Sequence, residues 1–173
     1  SGTMQGEIAA EVIRADPAVD RNADGKIQYV LLEGETGHQD AIIRTDSVVR
    51  TIQGQGIYLE KLSYQFANWN RSQAENKMLQ LIHQYGGDIE LCNNDEMAMG
   101  AVDAYEDEGY PLEERPVIFG IDGLDGTLEA VKNGIIQGTV FNDRQGQAEQ
   151  IARLATDLFK GNALSGYDFV NER

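Results

Sequence analysis

The chain has 173 residues, enough for one substantial domain with a core of its own. Fourteen basic against 29 acidic residues leave a formal net charge of −15, which opposes phosphate-backbone binding and argues against nucleic acid as a partner. The single cysteine, Cys92, has no internal partner for a disulfide, and no apolar run approaches the roughly 18 residues of a membrane span.

The N-terminal Ser1–Gly6 stretch has no signal-peptide pattern, which implies either a cytosolic chain or one whose start is missing. A helical pattern follows over Gln5–Ala15. Behind it, Asp20-Arg21-Asn22-Ala23-Asp24-Gly25-Lys26-Ile27-Gln28 reads as the first nine positions of an EF-hand calcium loop. Side-chain oxygens of Asp20, Asn22, Asp24 and Gln28 fall at ligand positions, Gly25 stands where the backbone must turn sharply, and Lys26 offers its carbonyl. The position of the final bidentate glutamate holds Leu31, so a calcium ion here requires a ligand from elsewhere in the fold. Turn-forming composition alone is the competing explanation.

Strand-length apolar runs then recur at Ile27–Leu32, Ile57–Leu62, Ile89–Cys92, Val117–Ile121 and Gly138–Phe141. Helical periodicity fills the gaps at Asp40–Gln53, Arg71–Tyr85, Asp95–Glu108, Leu124–Asn133 and Arg144–Phe159. This alternation predicts an α/β fold with a mainly parallel, doubly wound sheet flanked by helices. Ligands of such sheets bind beyond the carboxyl ends of the strands, so the loops there are where function is sought.

Those loops carry one kind of inventory. His38, Asp40 and, one helical turn on, Arg44 follow the first strand; Asn68-Trp69-Asn70 follows the second; Asn93-Asn94-Asp95, Asp122 and Asn142-Asp143 follow the others. Carboxylates, amides and a guanidinium offer paired donors and acceptors that suit adjacent sugar hydroxyls, and an indole face suits the C–H face of a pyranose. Each residue also has a plainer role. Asp40, Asn70, Asp95 and Asp143 are placed to cap helices, and that role is preferred for Asp95 and Asp143, leaving Asn94 and Asn142 to face the cleft. Trp69 alone would be a core residue and His38 a satisfied loop histidine.

With these stretches the chain resembles the galactose/glucose-binding proteins of bacterial sugar ABC transporters, which have the type I periplasmic binding protein fold. The resemblance rests on Asp20–Gln28, Gly34-Glu35-Thr36-Gly37-His38-Gln39-Asp40, Asn68-Trp69-Asn70, Asn93 to Ala101, Pro116 to Asp122 and Gly138 to Asp143, and covers nearly all of Ser1–Gly161. It implies that His38, Asp40, Arg44, Asn94, Asp122 and Asn142 hydrogen-bond the sugar while Trp69 stacks on it. It also implies a structural calcium held by Asp20, Asn22, Asp24, the Lys26 carbonyl, Gln28 and a distant glutamate, matched here by Glu90. Only Leu91 and Cys92 separate Glu90 from Asn93, against a family strand longer by two residues, which moves Glu90 about 6–7 Å along the strand.

Members of this family have two lobes. The resemblance assigns residues 1–142 to the C-terminal sugar-binding lobe and 143–173 to a hinge crossing and a helix of the other, largely absent lobe. It implies an extracytoplasmic receptor, periplasmic or extracellular, with or without a lipid anchor, for a glucose- or galactose-like hexose. Its partners would be the permease of an ABC importer and a chemoreceptor, with no insertion of this chain into the membrane. One alternative is the effector-binding core of a sugar-responsive transcriptional repressor of the same fold, though a hard-oxygen calcium loop suits extracellular calcium levels better than cytosolic ones. Another is a sugar-processing enzyme with Asp40 and Asp122 as paired carboxylates. The sequence has no recognisable nucleophile–base arrangement, and a binder is expected.

Overall fold

The computed structural model describes residues 1–162 and 164. In chain order its elements are α1 (Gly2–Ala15), β1 (Ile27–Glu33), α2 (Gln39–Gly54), β2 (Leu59–Phe66), α3 (Arg71–Leu81), β3 (Ile89–Cys92), α4 (Asp95–Asp107), β4 (Val117–Asp122), α5 (Asp125–Lys132), β5 (Gly138–Phe141) and α6 (Arg144–Lys160). All five strands pair in parallel, in the order β2-β1-β3-β4-β5. The chain divides into two compact units, Ser1–Phe141 and Asn142–Arg173. The described part of the second is α6 and its flanks, with Asp143 capping the helix through the Gly146 amide and Gly161 ending it at φ 68°.

Period-two alternation sorts the side chains of the first unit into two core layers. Ile27, Tyr29 and Leu31 of β1 join Ile89, Leu91 and Phe119 in a layer with Ala9 of α1 and Val48 and Ile52 of α2. Val30 and Leu32 point the other way, into a layer with Cys92, Ile118, Met78 of α3, Met97 and Tyr105 of α4, and Ala130 of α5. The central strands are therefore buried on both faces. By the same alternation Glu90, next to Leu91 and Ile89, must lie on the Cys92 side.

Two elements depart from the sequence reading. The second strand starts at Leu59 and runs to Phe66, beyond the continuous run that ends at Leu62, because its pairing with β1 extends from Ile27 to Glu33. Its last residues are an edge strand's mixed set, with Tyr64 and Phe66 packed edge to face at 5.2 Å. The third helix ends at Leu81 and not at Tyr85: the Leu81 carbonyl accepts from both Gln84 and Tyr85 amides in a tight turn before Gly86-Gly87.

Candidate functional site

At the carboxyl end of β1 the chain turns through Gly34. A Cβ there would collide with the Trp69 indole, so the ring lies directly on the Gly34 backbone. Trp69 arrives from the end of β2 through two consecutive residues in the left-handed region, Asn68 at φ 51° and Trp69 at φ 60°. A non-glycine residue there is held at a cost on the order of 1–2 kcal/mol, so the surrounding contacts must impose it. Several do. The Asn94 amide donates to the Trp69 carbonyl at 3.3 Å, the His38 ring meets the indole edge-on at 5.4 Å, and Asn70 caps α3 through the Gln73 amide.

Arg44 stands one turn into α2. Its guanidinium carbon lies 5.4 Å from the Trp69 ring centroid, one Nη donates to the Asn93 carbonyl at 2.7 Å, and the same nitrogen lies 3.6 Å from Asp122 Oδ1. Both side chains of this ion pair are largely shielded, at 14% and 21% exposure, so water screens it less than a surface pair. Asn93 in turn is held by Thr45, whose hydroxyl also donates to buried Glu33 at 2.6 Å. Asp122 ends β4 at φ 134°, a value L-residues rarely adopt. His38, Trp69, Arg44, Asn94 and Asp122 are thus linked through direct contacts, with Asn93 and Gly34 as members the sequence reading quoted but gave no role.

Other assignments shift. Arg44 forms its ion pair with Asp122, while Asp40 is exposed at the start of α2, where its amide donates to His38 Nδ1 at 3.2 Å. The cap of α4 is Asn94, accepting from the Met97 amide; Asp95 is no cap and is fully buried. The Asn94 side chain, only 7% exposed, is thereby occupied at both its oxygen and its nitrogen. Asn142 belongs to the second unit, where its side-chain oxygen accepts from Gln147 at 2.8 Å.

The Asp20–Gln28 loop lies at the opposite, N-terminal end of β1. It folds as ligand loops of this type must: Asp20 accepts from the amides of Asp24 and Gly25, Asn22 from Asp24, and Asp24 from Lys26, while Gly25 turns at φ 81°. Gln28 reaches Asp24 at 3.4 Å, and the Lys26 ammonium lies 3.5 Å from Glu60. The carboxylate that meets this loop is Asp88, which accepts from the Arg21 amide at 3.0 Å and from the Gln28 amide at 2.7 Å. Burial raises its pKa while those two amides oppose the rise.

Glu90 does not take that place. It points into the core layer shared with α3 and α4, where Oε1 accepts the Tyr105 hydroxyl at 2.6 Å and buried Oε2 has no partner among the described residues. Desolvation pushes its pKa up to about 7. Asp88 stands two residues earlier, the same two by which the strand looked short, so the shortening disappears once Asp88 is taken as the closing carboxylate. The oxygen donors of the loop and Asp88 fit a hard cation in kind, although among the described residues no three His, Cys, Asp or Glu side chains converge on one point.

No helix among the described residues is long and apolar enough to cross a membrane. The profile of the family described as periplasmic binding protein domain matches residues 1–163. The chain is 39% identical over 168 residues to the D-galactose/methyl-galactoside binding periplasmic protein MglB of Haemophilus influenzae, covering 95% of this chain and 50% of that protein. It is 37% identical over 145 residues to a putative rhizopine-binding protein of Rhizobium meliloti, covering 82% and 46%. Among solved structures, an ABC transporter solute-binding protein of Bacillus halodurans with bound myo-inositol superposes with a TM-score of 0.80 at 30% identity, covering 94% of this chain and 52% of that one. One from Actinobacillus succinogenes with bound D-allose has the same fold, with a TM-score of 0.80 at 24% identity over 98% and 56%. The chain spans about half the length of the curated relatives it matches. With its parallel β2-β1-β3-β4-β5 sheet and its polar cluster at the strand ends, this chain belongs to the periplasmic binding protein domain family.

Proposed function

We propose that the Ser1–Phe141 unit is the sugar-binding lobe of an extracytoplasmic receptor that delivers a hexose or similar ring polyol to an ABC importer. The observation that carries this reading is the shielded Arg44–Asp122 pair beside the Trp69 indole, at the carboxyl ends of parallel strands. Asp122 accepts from adjacent ring hydroxyls, Arg44 donates to them, and the indole covers the C–H face. Asp40, His38 and Asn94 supply the rim. The names of similar proteins speak of galactosides, myo-inositol and allose, which share the feature of a hydroxylated ring. Binding without chemistry is the expected activity, and an importer permease and a chemoreceptor are the expected partners.

The second unit is assigned in this reading to the hinge and the opposing lobe. Exposed Ile151, Leu158 and Phe159 on α6 are the surface such a lobe would cover. A structural calcium would be held by Asp20, Asn22, Asp24, the Lys26 carbonyl, Gln28 and Asp88, tying the loop to the start of β3. Lying at the far end of β1, about 20 Å from the sugar site, it would stabilise the lobe without touching ligand.

Calorimetric titration of the 173-residue chain with D-galactose, D-glucose and myo-inositol tests the reading. One lobe supplies part of the hydrogen-bond shell, so weak but saturable binding of at least one of the three is expected, and Asp122→Ala is expected to remove it. Sub-micromolar affinity would contradict the half-site geometry, and binding unaffected by Asp122→Ala would contradict the site.

A further inference from the structure

Asp95 has no exposed surface, yet one of its carboxylate oxygens is engaged with the turn that follows Asp122 and the other with β5. Oδ2 accepts from the Leu124 amide at 2.8 Å, and Oδ1 accepts the Thr139 hydroxyl at 2.5 Å. The Thr139 oxygen in turn accepts from the Gly123 amide at 3.4 Å. Room for the carboxylate exists because residue 120 is glycine: a Cβ there would overlap Asp95 Oδ1. Gly123, at φ 69°, is pressed on its other side by Phe141, whose Cδ2 would lie 2.8 Å from an added Cβ. The two amides that follow Asp122 are therefore fixed from β5 and from the first turn of α4, while Asp122 itself is held at φ 134°.

We propose that Asp95 is a positioning residue for the ligand site. Acting through the Leu124 amide and the Thr139 hydroxyl, it latches the Asp122–Gly123 turn in the strained conformation that holds the Asp122 carboxylate beside Arg44, and it touches no ligand itself. This rests on the sugar-binding reading above. It accounts for a fully buried carboxylate in the first turn of a helix whose capping role is already filled by Asn94. Strain at Asp122 is maintained only while the neighbouring amides are over-determined, and Asp95 supplies that constraint.

The test uses the labelled 173-residue chain and the three-bond coupling between the amide and α protons of Asp122. That coupling is small at φ near 134° and large in extended backbone. Thr139→Val, close to isosteric, deletes one arm of the latch, and Asp95→Ala deletes both. Asp95→Asn can restore them, its oxygen accepting from Leu124 and its amide donating to Thr139. Thr139→Val and Asp95→Ala are expected to raise the coupling and to weaken D-galactose binding about fivefold or more, read from amide shifts, while Asp95→Asn keeps both near the unmodified values. Hydrogen exchange separates a purely structural role: the latch predicts lost protection at Gly123 and Leu124 with Leu91 unchanged, whereas general destabilisation lowers all three. If Asp95→Ala does not fold, Thr139→Val carries the test. An unchanged Asp122 coupling in the variants would overturn the proposal, as would uniform loss of protection. If none of D-galactose, D-glucose and myo-inositol produces a response in any form, the sugar reading fails, and the coupling still decides whether the latch exists.

Discussion

Asp88 and Glu90 stand two positions apart and have opposite surroundings. Asp88 accepts from two loop amides, and among the described residues Glu90 accepts only from a tyrosine hydroxyl. Calcium is accordingly expected to raise the melting temperature of the chain, with the increase lost in Asp88→Asn and kept in Glu90→Gln; thermal scans with calcium and with a chelator check this. Glu90 has a separate signature. Its ordinary pKa is 4.5 and burial lifts it to about 7, so between these values the folded chain holds a proton that the unfolded chain has released. Its contribution is fully present below pH 4.5 and falls as pH rises to 7, by on the order of 3 kcal/mol. Urea unfolding at pH 5 and pH 7.5 is expected to show a smaller pH difference for Glu90→Gln than for the unmodified chain, and parallel behaviour would refute this origin. Asp88 was hard to find in the sequence because its partners, Arg21 and Gln28, lie 67 and 60 residues away.

The close crossing of α3 and α4 is made at Gly100, where an added Cβ would overlap the Arg71 carbonyl and approach Ala74 Cβ at 2.9 Å. Backbone cannot yield as a flexible side chain can, so Gly100→Ala is expected to destabilise by about 1–3 kcal/mol. Gly54, also helical, has nothing within reach of an added Cβ, and Gly54→Ala is expected to be neutral or to stabilise by up to about 1 kcal/mol. Equal effects in denaturant titrations would contradict the packing. The bounds of β3 and β5 match the apolar runs of the sequence, β3 being buried throughout and β5 being an edge strand with Gly138 and Val140 buried and Phe141 exposed. The other edge strand, β2, was only partly legible, because polar Ser63 and Gln65 interrupt its apolar run although they pair beside Val30 and Leu32, and β1 fixes how far the pairing continues. The role of Asp95 was hidden for a related reason: beside a helix start an aspartate reads as a cap, and only the tertiary approach of β5 and the β4–α5 turn shows otherwise.

For the whole molecule, strand–helix alternation carries the parallel sheet, and the rule that ligands bind at strand carboxyl ends points to the loops that hold the polar cluster. What alternation could not convey is which polar residues pair with one another, since Arg44, Trp69 and Asp122 come from three separate loops. The central claim is that these three form one sugar-receiving surface. Trp69 is the chain's only tryptophan, so tryptophan emission, excited selectively over the seven tyrosines, reports on that surface. Titration with D-galactose, D-glucose or myo-inositol is expected to change the emission saturably in the unmodified chain for at least one of them, and not in Asp122→Ala or Arg44→Ala. Emission that stays flat with all three in the unmodified chain, or that responds equally in all three proteins, would contradict the account.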